Sequence, residues 1–401
     1  MSKKRKEPYI ILHCGNLYTK IDCIREVIKT KLPKEYFNNY LCDILERSRY
    51  TADLIDILDI DDRITTNPIL KQSEGSYGKV YIYHDEVIKI PKIDSTKIDD
   101  IKNIEGEFIE ENIINIILNC FHDNLVQFTN ENFPTLFPNP LPNPFPKIKL
   151  LSKHGPDAND KFEIFAVMEK LDTCNFFDTS EEYISEEYSE EYISKKYIKQ
   201  IIFILILAFF LYFLQTSCKF THGDLHKGNV MIRIFDNPIK LKIPYKDTYF
   251  EIETFFIPCI IDLGMVCADL TECCALKELF VSNSMYEERY KVSNIKKLGM
   301  LQGDEREEEV EEEVKRYTHC KNKSQDLRLF FASLIEYDLA PGLRTYLTKI
   351  FNNDIYKNKK LNVRNKKYST YFHNFYHEVS KIDDPNFYPE NVILEMIKML
   401  V

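Results

Sequence analysis

The sequence predicts an α+β protein, with short strands early in the chain and helices later. Three observations carry that expectation. Apolar residues flank tight turns in 71–90 with strand-like character, and Phe165-Ala166-Val167-Met168-Glu169-Lys170-Leu171 reads as a further strand. Residues 201–214 form an uncharged apolar run of helical length. Residues 331–401 look helical, with Tyr and Phe available for packing.

Residues 1–66 read as an N-terminal extension with helical stretches in 21–58. Its Lys3-Lys4-Arg5-Lys6 patch suits either nuclear import or a solvated tail. Residues 73–80, Ser-Glu-Gly-Ser-Tyr-Gly-Lys-Val, place glycines between strands, and Val87-Ile88-Lys89-Ile90 follows the turn His84-Asp85-Glu86. Gly75 and Gly78 let a backbone close over phosphates without a Cβ clash; they also suit plain hairpin punctuation. Residues 105–118 show helical apolar spacing. Glu110 sets Ile113, Ile114 and Ile117 on its own side of that helix, and Glu111 is nearly as well placed. His122-Asp123-Asn124-Leu125-Val126 reads as the start of the next strand.

Residues 133–146 hold six of the 17 prolines, which excludes helix and inner strand. The segment reads as a stiff extended insertion, or as a ligand for a proline-recognition module. Residues 180–197 repeat Ser-Glu-Glu-Tyr and predict a helix carrying Tyr183, Tyr188, Tyr192 and Tyr197. Residues 250–261 read as two strand segments leading into Asp262.

The chemistry concentrates in Thr-His-Gly-Asp-Leu-His-Lys-Gly-Asn at 221–229 and in Asp262-Leu263-Gly264, 33 residues beyond Asn229. Asp224 can accept a proton from an attacking hydroxyl, and Asn229 with Asp262 can hold Mg²⁺ against phosphate oxygens. Taken singly, Asp224 and Asn229 are ordinary turn residues, Asp262 is a helix cap, and Lys89 is a solvated strand lysine.

In this order, the segments resemble the protein-kinase superfamily over residues 71–330. The resemblance implies a bilobal fold, with a small β-rich N-lobe over 67–170 and a larger helical C-lobe over 171–401 that carries acidic insertions. It implies ATP under a loop in which Ser73 replaces the first glycine and Gly75, Gly78 and Val80 match. Lys89 would pair the α/β-phosphates, held by Glu110. Met168 would be the gatekeeper, backbone near Glu169 and Leu171 would bind adenine, and Val80, Val87 and Met231 would sandwich the ring. Asp224 becomes the base, and Asn229 and Asp262 the ligands of Mg²⁺ or Mn²⁺. His222 becomes a packing residue, and His226 stands near the position of a γ-phosphate lysine. Asp326 becomes the helix-start carboxylate that ties down the catalytic loop. The apolar run 201–214 becomes the buried central helix. Gly223 replaces the Arg that receives a phosphorylated activation loop, which implies activity without that phosphate.

The ensemble is most similar to divergent serine/threonine kinases of large double-stranded DNA viruses, and implies protein Ser/Thr hydroxyls as acceptors. No Ala-Pro-Glu follows Gly264. Aminoglycoside and choline kinases share the His-x-Asp-Leu-His-x-Gly-Asn pattern, so a small-molecule phosphotransferase is the alternative. Ser73 and His226 also keep a nucleotide-binding pseudokinase open.

Composition bounds the partners. The net charge of −10 comes almost wholly from acidic runs at 181–196 and 304–313, and the remainder is close to neutral. No basic stripe points to nucleic acid. Eleven cysteines without a Cys-x-x-Cys pair predict an intracellular reducing compartment: host cytoplasm or virion if viral, with the nucleus as an alternative. Cys267, Cys273, Cys274, His319 and Cys320 match no zinc spacing. As a helix, 201–214 spans about 21 Å, short of the roughly 30 Å hydrocarbon core, so no membrane span is expected.

Overall fold

The computed structural model describes residues 71–74, 78–83, 86–91, scattered positions of 108–123, and 141–153, 164–177, 190–245, 248–266, 268, 323–335, 337–351 and 383–401. The expectations for 1–66, Gly75, Glu110, the tyrosine repeat at 180–189, the cysteine group at 267–320 and the acidic run at 304–313 lie outside the described residues.

The α+β expectation holds. Strands β1 (Lys71–Glu74), β2 (Gly78–Tyr83), β3 (Glu86–Pro91), β4 (Ile148–Lys153) and β5 (Ile164–Glu169) form one antiparallel sheet in the order β1-β2-β3-β5-β4. Register decides which residues share a face. Val80 and Ala166 lie opposite Lys89, and Val87 lies opposite Met168, so Val80, Val87, Lys89 and Met168 occupy the same face. The other face buries Tyr81, Ile88, Phe165 and Val167 together. Gly78 has a steric reason to be glycine: a Cβ there would lie 2.5 Å from the Ile90 carbonyl oxygen.

The described residues of 108–123 are helical (α1), including His122 and Asp123. The expected strand start at 122 is therefore corrected. The buried positions of α1 include Phe108, Asn112, Asn115, Leu118, Asn119 and His122. Three of these are asparagines, buried beside the apolar Ile114 and Phe121 of the same helix. Residues 141–147 carry neither helix nor strand, as expected for that part of the proline segment, and are mostly buried.

Helix α2 (Glu190–Cys218) is the axis of the larger core. Every residue from Phe203 to Leu214 is buried. This helix is long and apolar enough to cross a membrane, yet 83% of its apolar window is buried inside the protein. Phe203 meets Phe176, Phe177 and Phe330 ring to ring. After α2 comes a two-stranded ribbon, β6 (Val230–Tyr245) with β7 (Thr248–Ile260), bulged between Ile234 and Ile239. β7 is one continuous strand, where two segments were expected. Helices α3 (Gln325–Leu334), α4 (Pro341–Phe351) and α5 (Pro389–Leu400) complete the described fold, with α5 lying along α2.

His122 lies within α1, buried, its Nδ1 3.6 Å from Asp123 and its ring edge-on to Phe213. Burial holds its pKa below the ordinary histidine value, against the pull of Asp123. Below pH about 6.5 the unfolded chain then binds the proton that the folded one refuses, so stability falls as the solution is acidified. Urea unfolding between pH 7 and 5 should show that slope, and His122→Leu should flatten it; an unchanged slope in the variant refutes the assignment.

Candidate active site

α2 stops at Cys218, and Lys219 turns the chain through a left-handed conformation (φ 50°). Gly223 follows at φ 79°, where a Cβ is strained. Between them, the loop is held from below by α3. The Asp326 carboxylate accepts the amide N–H of His222 at 2.9 Å and of Gly223 at 3.1 Å. Burial pushes the Asp326 carboxyl upward; the His222 ring, the two amide donors and Arg328 pull it back. Ser333 on the same helix accepts the N–H of Lys227 at 2.8 Å, and the Lys227 ammonium lies 4.3 Å above the Tyr337 ring.

His222 joins the two halves of the site. Its Nδ1 accepts the Asp224 N–H at 3.2 Å, which leaves the proton on Nε2, 2.9 Å from the Ile261 carbonyl oxygen. The expected packing role becomes more specific: one neutral imidazole links the residue beside Asp262 to Asp224. Asn229, nearly buried in a 3₁₀ turn (Lys227–Asn229), donates Nδ2–H to the Asp224 carbonyl at 2.9 Å. Its own carbonyl accepts the Ile261 N–H at 3.0 Å. Asp224 and Asn229 are thus tied by four hydrogen bonds, two of them through His222, to each other and to Ile261, the residue before Asp262.

Asp262 is left-handed (φ 60°, ψ 71°), an uncommon state for a residue other than glycine, and its side chain makes no capping bond to the turn that follows. With Asn229 amide hydrogens turned to Asp224, its side-chain oxygen is the group left for a cation. Oxygen donors from one amide and one carboxylate fit Mg²⁺ or Mn²⁺. No group of three or more His, Cys, Asp or Glu suited to a metal occurs among the described residues. Phosphate and water would therefore complete such a shell.

His226 Nδ1 accepts the Gly228 N–H at 3.0 Å, and its Nε2 stands 4.0 Å from an Asp224 carboxylate oxygen. Burial lowers its pKa, opposed by Asp224 and Asp262, so the ring is neutral at pH 7. It offers a neutral N–H rather than the positive charge of a lysine.

On the sheet, Lys89 Nζ binds both carboxylate oxygens of Glu111 at 2.8 and 3.0 Å, 5.9 Å from the Phe108 ring. The partner seen for Lys89 is thus Glu111, the alternative to Glu110, which lies outside the described residues. The inward face of α1 runs through Phe108, Asn112 and Asn115, and Glu111 belongs to that face.

The segment after β5 is tied to β6. Asp172 and Ile232 exchange both backbone bonds, at 2.8 and 2.9 Å. Leu171 is buried in the large core, and Met168 and Met231 pack against it. The Glu169 N–H is already engaged by the Lys147 carbonyl, and its carboxylate is bound by Arg233. Ser73 is placed as a β1 residue opposite Val80. Sequence reasoning overlooked Arg233 and Asn143. The signal for Arg233 was a single charge in the otherwise apolar strand start Val-Met-Ile-Arg-Ile-Phe.

Compared with known proteins, the chain matches no family model and no curated relative.

Asp326→Asn keeps the side-chain volume but offers one acceptor and a misplaced NH₂ to two amide donors. It should lower stability by about 1–3 kcal/mol in urea unfolding and speed amide exchange of His222 and Gly223. Unchanged exchange at those two amides would remove Asp326 from its anchoring role.

Proposed function

We propose that the protein is an ATP-dependent phosphotransferase of protein-kinase-like, bilobal architecture that moves the γ-phosphate to Ser/Thr hydroxyls of proteins. One observation carries the reading: Asp224 and Asn229 are hydrogen-bonded, directly and through His222, to Ile261 beside Asp262, and that unit is anchored by the buried Asp326 carboxylate. The Lys89–Glu111 pair supports it independently.

In this reading, the sheet face bearing Val80, Val87, Lys89 and Met168 receives the nucleotide, with Met231 on the far side of the adenine. Adenine contacts come from the Glu169 carbonyl and the Leu171 backbone, since the Glu169 N–H is engaged in the sheet. Lys89, held by Glu111, orients the α/β-phosphates. Asn229 and Asp262 hold Mg²⁺, which neutralises phosphate charge when bound. Asp224, about one third exposed, orients the acceptor hydroxyl and takes its proton. His226 donates a neutral hydrogen bond beside it. Preorganised dipoles and charges of this kind lower a phosphoryl-transfer barrier with little covalent participation by the protein.

A small-molecule acceptor is the second reading. It is favoured by the sequence after Gly264, which has no Ala-Pro-Glu. Radiolabelled transfer to casein and histone, set against small hydroxyl acceptors, separates the two. Transfer to neither class, with Mg·ATP stabilisation retained, would leave a nucleotide-binding scaffold.

Asp224→Asn should keep Mg·ATP thermal stabilisation and lose about 10²- to 10⁴-fold in turnover. Asp262→Asn should lose the Mg-dependent stabilisation itself. Near-native turnover in Asp224→Asn would overturn its role. Glu111→Gln should lower kcat by about 10- to 100-fold while Glu110→Gln stays within about twofold. The reverse order would reinstate Glu110.

A further inference from the structure

Residues 143–147 form a buried irregular segment whose every carbonyl has a donor. Asn143 and Phe145 carbonyls accept from Arg233, at 2.5 and 3.0 Å. The Pro144 carbonyl accepts the Ile260 N–H at 2.7 Å, the Pro146 carbonyl accepts Asn119 Nδ2–H at 2.9 Å, and the Lys147 carbonyl accepts the Glu169 N–H at 3.0 Å. Proline contributes no N–H, so Pro144 and Pro146 present no donors to satisfy in a buried segment.

The donors come from different parts of the molecule. Arg233 and Ile260 lie on the two strands of the ribbon that leaves Asn229 and returns to Asp262. Asn119 lies on α1, the helix that bears Glu111. Asn143 completes the connection: its Nδ2 donates to Asn119 Oδ1 and Asp123 Oδ1, both at 2.9 Å, and its Oδ1 accepts the Phe145 N–H at 3.0 Å. Asn119 in turn donates to Asn115 Oδ1 at 2.7 Å. Arg233 also binds the Glu169 carboxylate through Nε at 2.9 Å, so its charge is compensated where it is largely buried.

We infer that Arg233, Asn143 and Asn119 form a positioning relay that sets α1, and with it the Lys89–Glu111 pair, relative to the strands bearing Asn229 and Asp262. The inference rests on the phosphotransfer reading and deepens it: engagement of Glu111 is built into the fold rather than conferred by a phosphate on an activation segment. These are positioning residues, since each acts on the nucleotide through Glu111. A plain stability role predicts something different. Buried hydrogen bonds that only stabilise the protein cost the same whether or not Glu111 is present.

The test uses the full-length protein. Asn143→Ala removes the side-chain bonds to Asn119 and Asp123 of α1, leaving the Asn119–Pro146 bond, without touching the Arg233–Glu169 pair. Arg233→Met, with Arg233→Lys as its conservative partner, removes the other end. Asn143→Ala should lower kcat by about tenfold with KM for ATP changed by less than about threefold, and add less than about twofold in a Glu111→Gln background. Hydrogen exchange of the protein without nucleotide should speed about tenfold in peptides covering 108–123 and stay unchanged in 325–334. Arg233→Lys should recover part of both effects. If the losses with Glu111→Gln are additive, or exchange in 108–123 does not respond, the relay is overturned. If the native protein transfers no phosphate to any acceptor but exchange in 108–123 responds, the phosphotransfer reading fails and the mechanical link stands. If Arg233→Met does not fold, Asn143→Ala alone decides.

Discussion

A carboxylate removed from water must be met by donors, and the whole arrangement around Asp224 follows from how Asp326 is met. Its donors are two consecutive backbone amides, His222 and Gly223. Consecutive amides converge on one anion only when the chain bends sharply, and the bend here takes Gly223 into left-handed space. An uncompensated buried charge is far more expensive than the strain of that bend. The loop is therefore not free to choose another path. Once it is set, the ring of His222 has one orientation, and that orientation selects where Asp224 and Ile261 lie.

The apolar core makes this polar assembly rigid. α2 is buried over its central turns, and phenylalanines from α2, α3 and residues 176–177 pack around it. The loop leaves directly from the end of this helix, so its origin is held by close packing. Hydrogen bonds at such a boundary are strengthened by the weak screening of the surroundings, and any unpaired group there is correspondingly costly. The ribbon β6–β7 then brings the chain from Asn229 back to Ile261 without losing register at either end.

The same rule governs the second polar region. Irregular backbone is rarely buried, because its amides and carbonyls need partners. Residues 143–147 meet the requirement by lacking donors at the prolines and by filling their carbonyls from Arg233, Ile260, Asn119 and Glu169. The asparagines of α1 belong to this solution. Asn112, Asn115 and Asn119 are all buried.

Asp224, Asn229, Asp262 and Asp326 were legible because their meaning is local: short spacings and a glycine in a tight loop limit where the groups can go. The α+β class and the burial of α2 were legible for a similar reason, since a run of apolar residues has no stable place outside a core. Glu111 was legible only as an alternative, and Arg233 and Asn143 were not legible. Each is defined by a partner distant in sequence, and residue type alone does not state which polar groups are forced inward together. Sequence by itself singled out the candidate side chains of the site; the tertiary structure decided what holds them, because a buried charge or carbonyl chooses its partners by geometry and desolvation, and neither is written in local order.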